Sequence, residues 1–272
     1  MQGIHEFIPT ALKAKYINLL LQVGFDTIDF GSFVSPKAIP QLSDTRAVLS
    51  QLDLSNTATQ LLAIVANLRG VEDAVSFPEI KYVGFPFSIS ETFQQRNTNS
   101  SIQKSMQTVE QMLALCDKHQ KTAVIYLSMG FGNPYGDEYS KTIVGDWASA
   151  LVEKGSKILA LSDTLGVSTP EQIADLLPFL TQSFPDTEIG LHLHSTPATR
   201  REKIEAAYKN GCKRFDSALR GFGGCPMAAD SLTGNMATEE LITYLEKQGE
   251  DLKLNADQWQ QAMLLSNEVF AI

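Results

Sequence analysis

Two histidines one residue apart, His192 and His194, stand in the run Gly190-Leu191-His192-Leu193-His194-Ser195-Thr196. In an extended strand, side chains two apart share a face, so both imidazoles would point one way and Leu191 and Leu193 the other. That makes a two-pronged grip for a divalent cation. Imidazole suits Zn, Fe, Ni or Mn, and an added carboxamide, carboxylate or water oxygen moves the preference toward Mg or Mn. Asn235, in a Gly-Asn turn before a helical stretch, is placed to supply such an oxygen. Both features have plainer uses: a His-x-His pair also arises on the solvent face of a half-buried strand, and Asn is a common cap or turn residue. These two are half of the four histidines in the chain and close an otherwise apolar strand, which favours the metal role.

The elements that must position these residues alternate in type. Pro9-Thr10 opens a helix through Val23, with Leu12, Tyr16, Leu19, Leu20 and Val23 at helical spacing and Gly24 as its stop. Strands are expected at 26–31, 60–67, 80–87, 122–128, 156–163, 187–194 and 213–218. Helices are expected after Ser43-Asp44 and over 71–76, 100–119, 141–153, from Thr169-Pro170, 199–210, 238–247 and 256–269. Strands separated by helices at intervals of roughly 30 residues mean βαβ units and a parallel sheet. The nearest standard architecture is the eight-stranded α/β (TIM) barrel, here with seven strands after the first helix, lacking its opening strand and carrying extra C-terminal helices. A doubly wound open sheet fits less well, because no Gly-rich phosphate loop follows a strand. In a barrel the polar strand ends Asp29, Ser128, Asp163, His192, His194 and Ser217 gather at the catalytic rim.

Composition narrows the partners. With 43% hydrophobic and 19% charged residues, the 272-residue chain can bury a large core, and its length alone allows one or two domains. A net charge of −9 without clustered Lys and Arg argues against a nucleic-acid surface, so small molecules are the expected partners. Cys116, Cys212 and Cys225 form no C-x-x-C spacing, and an odd thiol count suits a reducing cytoplasm. No apolar run approaches a membrane span, and no signal-peptide pattern opens the chain.

Five segments occur in the order and spacing of one family. They are Ser32-Phe33-Val34-Ser35-Pro36-Lys37 with Pro40-Gln41, Ser162-Asp163-Thr164-Leu165-Gly166-Val167-Ser168-Thr169-Pro170, His192-x-His194, Gly221-Phe222-Gly223-Gly224-Cys225-Pro226 and Gly234-Asn235-Met236-Ala237-Thr238-Glu239. Nearly the whole chain thereby resembles the 3-hydroxy-3-methylglutaryl-CoA lyases of the metal-dependent aldolase and lyase barrels. The resemblance implies a retro-Claisen cleavage of 3-hydroxy-3-methylglutaryl-CoA to acetoacetate and acetyl-CoA, a step of leucine breakdown, with acyl-CoA as substrate. It implies Mg or Mn held by His192, His194 and Asn235, and Cys225 as general acid on a Gly-rich loop, although an arbitrary Cys is more often a small buried hydrophobe. Asp29 falls where the family has an acidic residue near the metal, typically Glu. Asp163 matches a substrate-pocket aspartate, with capping of the loop before Thr169 as the structural alternative. Ser32 and Lys37 would approach the acyl chain and the CoA phosphates, or Lys37 is simply a solvated surface charge. Similar lyases are commonly homodimers.

Two departures stand out. After the second histidine the family has Asp-Thr-Tyr-Gly, whereas this chain has Ser195-Thr196-Pro197-Ala198, which removes a charge from beside the metal ligands. The family's first strand ends in Arg-Asp before a Gly-Leu-Gln-like turn, and Met1-Gln2-Gly3 registers on that turn. The expectation is therefore that Met1 is an internal methionine, with a strand of about 10–20 residues upstream in the natural protein, and that the short form is badly impaired. The alternatives are a related aldolase or Claisen-type condensing enzyme on another acyl-CoA or 2-oxo acid, which would generally lack the Cys225 motif, and an inactive binding protein.

Overall fold

Each apolar run feeds a helix that returns the chain to the same side of a growing sheet, so the strands lie side by side in the order they are made. The structure is a computed structural model that describes residues 1–224 and 233–270 apart from Gly3 and His5. Among the described residues there are seven strands: β1 (Thr27–Ser32), β2 (Gln60–Ile64), β3 (Ile80–Ser88), β4 (Thr122–Ser128), β5 (Ile158–Asp163), β6 (Glu188–Leu193) and β7 (Phe215–Asp216). They form one sheet in sequence order, every neighbour parallel. The α/β-barrel fold expected from the sequence is therefore present, with the sheet open between β1 and β7 among the described residues.

The two faces of the sheet carry different cores. Ala123, Ile125 and Leu127 of β4, Leu159 and Leu161 of β5, and Ile189, Leu191 and Leu193 of β6 join the large layer under the helices. Their alternates Leu62, Val124, Ile158 and Ala160 pack together on the inside with Ile64, Tyr82 and Tyr126. This period of two is what a sheet covered on both faces requires.

The outer layer is made by α1 (Thr10–Val23), α2 (Thr45–Leu49), α3 (Leu68–Val75), α4 (Glu91–Thr98), α5 (Ile102–Lys118), α6 (Lys141–Glu153), α7 (Pro170–Ser183), α8 (Arg200–Lys209), α9 (Thr238–Lys247) and α10 (Ala256–Val269). Thr169 caps α7 in a reciprocal box with Gln172, and Pro170 fills the first turn, as the sequence implied. The last helix, α10, packs along α1, where Phe270 meets Tyr16 edge-on at 5.9 Å. Among the described residues no helix is long and apolar enough to cross a membrane.

The differences from expectation have local causes. β2 stops at Ile64 because Asn67 turns to cap α3, accepting from Gly70 N at 3.0 Å. α4 was not expected; Asn99 ends it in the left-handed region and Ser101 starts α5, so one polar stretch becomes two helices. β7 has two residues rather than six, because Ala218 leaves β6 and bonds the segment before α9, its N–H to Met236 O at 2.9 Å. Cys116 and Cys212 are buried, and burial pushes each thiol up to about 12.

Ile125 sits fully buried between sheet and helices. Ile125→Ala should lower unfolding stability by about 2–5 kcal/mol in urea melts with an unchanged m-value. A loss under about 1 kcal/mol would contradict the tight packing of this layer.

Candidate active site

Since Leu191 and Leu193 face the helices, Gly190 and His192 of β6 face inward, and His194 follows just past the strand end. The ring Nε2 atoms of His192 and His194 come within 3.3 Å of each other. Two imidazole nitrogens bound about 2.1 Å from one cation at near right angles stand about 3 Å apart, so the observed spacing fits a shared ion. Burial, helped by the neighbouring His192, pushes His194 down to about 4, which leaves a neutral ring able to act as a ligand near pH 7.

Asn235 reaches the pair through the backbone. It forms an antiparallel bridge with His194, flanked by Ser195 N to Gly234 O at 2.8 Å and Met236 N to Leu193 O at 3.0 Å. Its side-chain amide donates to Phe222 O at 2.9 Å, so its oxygen is the atom left for a ligand. The approach demands a glycine: at Gly223, in the left-handed region, a Cβ would stand 2.5 Å from Asn235 Nδ2. Among the described residues no three His, Cys, Asp or Glu side chains gather to hold a metal.

The other side of His192 is held by a residue that sequence reasoning passed over. Asp216 of β7 pairs in register with His192, and its Oδ2 lies 3.2 Å from His192 Nδ1. A carboxylate only accepts hydrogen bonds, so Nδ1 carries the proton and Nε2 presents its lone pair to the mouth. Tyr126 of β4 meets the His192 ring edge-on at 5.5 Å, and burial raises its phenol far above the usual range, with the Asp216 charge adding to that shift. The signal for Asp216 was present in the sequence, an acidic residue one position before Ser217. Ser217 instead bonds Thr238 at 2.9 Å.

Asp29 is exposed to water in the mouth, yet protein surrounds it closely on its other sides. That desolvation pushes its carboxyl up to about 7; the N-terminal ammonium of Met1 and, less strongly, His192 oppose the shift, and the Asp216 charge adds to it.

Asp163 is not a mouth residue. Its side chain is fully enclosed, with Oδ1 accepting from Val167 N at 2.8 Å and Oδ2 from Ser168 N, Ser168 Oγ and Lys203 Nζ. The loop-capping alternative describes it, and the substrate-pocket expectation is corrected. Ser32 is buried at the end of β1, its hydroxyl accepting a long bond from Val34 N at 3.4 Å. Lys37 is exposed on the following loop, at the same strand-end rim. Gln41 proves structural: it accepts from Ile8 N and donates to Glu6 O and Ile4 O. Cys225 lies outside the described residues.

Comparison with known proteins points to one family. A family model described as HMGL-like matches residues 1–265. A hydroxymethylglutaryl-CoA lyase of Bacillus subtilis is 36% identical over 255 residues, covering 94% of this chain and 84% of that protein. A solved Bacillus subtilis HMG-CoA lyase superposes with a TM-score of 0.92 at 32% identity, covering 99% of this chain and 90% of that one. An HMG-CoA lyase from Acinetobacter baumannii, solved in complex with coenzyme A and 3-methylmalate, gives a TM-score of 0.90 at 27% identity over 99% and 87% of the two chains.

Asp216 should fix the tautomer of His192. In ring 15N NMR of the metal-free protein, His192 should show a protonated Nδ1 and a bare Nε2, and Asp216→Ala should shift it toward the Nε2–H form. An unchanged spectrum in the variant would show that Asp216 does not control the ring.

Proposed function

The chain belongs to the HMGL-like family, and from that premise we propose that it is a carbon–carbon lyase that cleaves 3-hydroxy-3-methylglutaryl-CoA to acetoacetate and acetyl-CoA. The observation that carries the reading is the convergence of His192, His194 and Asn235 at the strand-end mouth of the sheet. A divalent cation, Mg or Mn, held by these three would polarise the substrate hydroxyl and make its proton easier to remove.

The chain's own residues do the rest. His192, held by Asp216, and neutral His194 keep their lone pairs directed at one point. Asp29, a carboxylate with raised proton affinity in the same mouth, takes the hydroxyl proton. The oxygen then becomes the ketone of acetoacetate as the bond between the hydroxyl-bearing carbon and the α-carbon of the thioester breaks. The electron pair moves onto the thioester as an enolate, and the Cys225 thiol delivers a proton to its α-carbon, giving acetyl-CoA. Exchange of one proton with water returns Asp29 and Cys225 to their starting forms. Support for Cys225 comes from its Gly-rich approach, since Gly223 lies against Asn235. Lys37, exposed at the rim, suits the CoA phosphates, and Ser32 sits at the base of the same loop.

The reading extends to a single catalytic domain over 1–272, a homodimer, a cytoplasmic setting that suits the buried, unpaired Cys116 and Cys212, and a place in leucine breakdown.

The purified protein with Mg²⁺ or Mn²⁺ should release acetoacetate from 3-hydroxy-3-methylglutaryl-CoA, lose that activity in chelator and regain it on adding metal. Cys225→Ala should lower kcat on the order of 10²–10⁴-fold. Absence of acetoacetate from the metal-loaded protein would overturn the lyase reading, and full activity in Cys225→Ala would remove the acid role.

A further inference from the structure

Behind the metal-binding edge lies a charged group that the reaction does not use directly. Lys203 occupies an inward position of α8 beside Ile204 and Ala207, and its side chain is 1% exposed. Its ammonium donates to three acceptors: Asp163 Oδ2 at 2.7 Å, Gly166 O at 2.9 Å and His194 O at 2.9 Å. Three donors meet three acceptors, so the group has no donor left over. Asp163 in turn is bonded by Val167 N and Ser168. The end of β5, the loop after it and the residue just past β6 are thus tied to one point.

We infer that Lys203 is the positioning residue that holds His194 in place for cation binding, by clamping the His194 carbonyl to the Asp163 carboxylate. The inference rests on the metal reading above and adds the device that orients one ligand. It also accounts for the local sequence. With Ser195 after the second histidine, no carboxylate follows the ligand pair directly, and Ser195 is spent on the backbone, its N–H donating to Gly234 O. The ordering charge comes instead from α8, one helix on. The same clamp reaches Asn235: a Cβ on Gly166 would stand 2.5 Å from Thr233 Cγ2 and 3.4 Å from His194 O, so the loop held by Lys203 packs on the segment that delivers the third ligand.

Electrostatics and positioning predict opposite outcomes when the ammonium is removed. Lys203→Met leaves the negative Asp163 near the ion, which by charge alone strengthens cation binding. If Lys203 positions His194, binding weakens instead.

The test is Mn²⁺ affinity by EPR of the free ion, on the full chain, for wild type, Lys203→Met and the double variant Asp163→Asn with Lys203→Gln. The double variant removes both charges together and leaves no orphaned buried carboxylate, so it keeps the test open should Lys203→Met fail to fold; circular dichroism confirms folding. Affinity should fall about tenfold or more in each folded variant. At saturating Mn²⁺ the KM for substrate should stay near the wild-type value, whereas Lys141→Ala, which breaks an exposed pair with Asp175, should leave Mn²⁺ affinity unchanged. A folded variant that binds Mn²⁺ within twofold of wild type, or more tightly, overturns the clamp. A wild-type protein that binds no Mn²⁺ overturns the metal reading itself, and the clamp with it.

Discussion

Two side chains on one strand can serve one ion only if the strand presents both to the same side and something fixes where their lone pairs point. The alternation of β6 meets the first condition, because Ile189, Leu191 and Leu193 are drawn under the helices and leave the other face to Gly190, His192 and His194. Parallel register meets the second, since β7 sets Asp216 directly beside His192. A shift of one residue on β6 would send both imidazoles into the apolar layer and bring leucines to the mouth. The hydrophobic pattern that makes the fold is therefore also what aims the two imidazoles.

Charge is distributed around this pair with opposite uses. Inside the mouth, the Asp216 charge helps to raise the proton affinity of Asp29, a cost that makes sense where positive charge is to be received. Outside it, Lys203 and Asp163 are enclosed together. A buried ion pair adds little net stability over a well-packed apolar pair, while loss of one partner costs about 3–5 kcal/mol. Its value lies in geometry, because an ammonium with three fixed acceptors permits few arrangements of the segments that carry them.

The sequence carried the alternation of strands and helices, the cap of α7, and the candidate residues His192, His194 and Asn235, because each follows from local periodicity or a short motif. It did not carry the features that arise between elements. Asp216 looked like one more polar residue of a short strand until register set it against His192. Lys203 follows Arg200, Arg201 and Glu202 and has no local signal that sets it apart from a charged helix surface; the packing of α8 on α7 and the strand ends turns it inward. Asp163 was assigned outward for the converse reason: position at a strand end suggested the mouth, whereas its own loop folds back over it. Two residues of β7 were legible as strand and four were not, because Ala218 finds better partners in the segment before α9.

The central claim is that one cation sits between the two imidazoles and the carboxamide at the open end of the sheet. Crystals grown with Mn²⁺ and measured at the manganese absorption edge test it most directly. An anomalous peak shared by His192 Nε2, His194 Nε2 and the Asn235 side-chain oxygen is the result this account predicts. Full-occupancy manganese at another site, with those three side chains bound only to water, would contradict it.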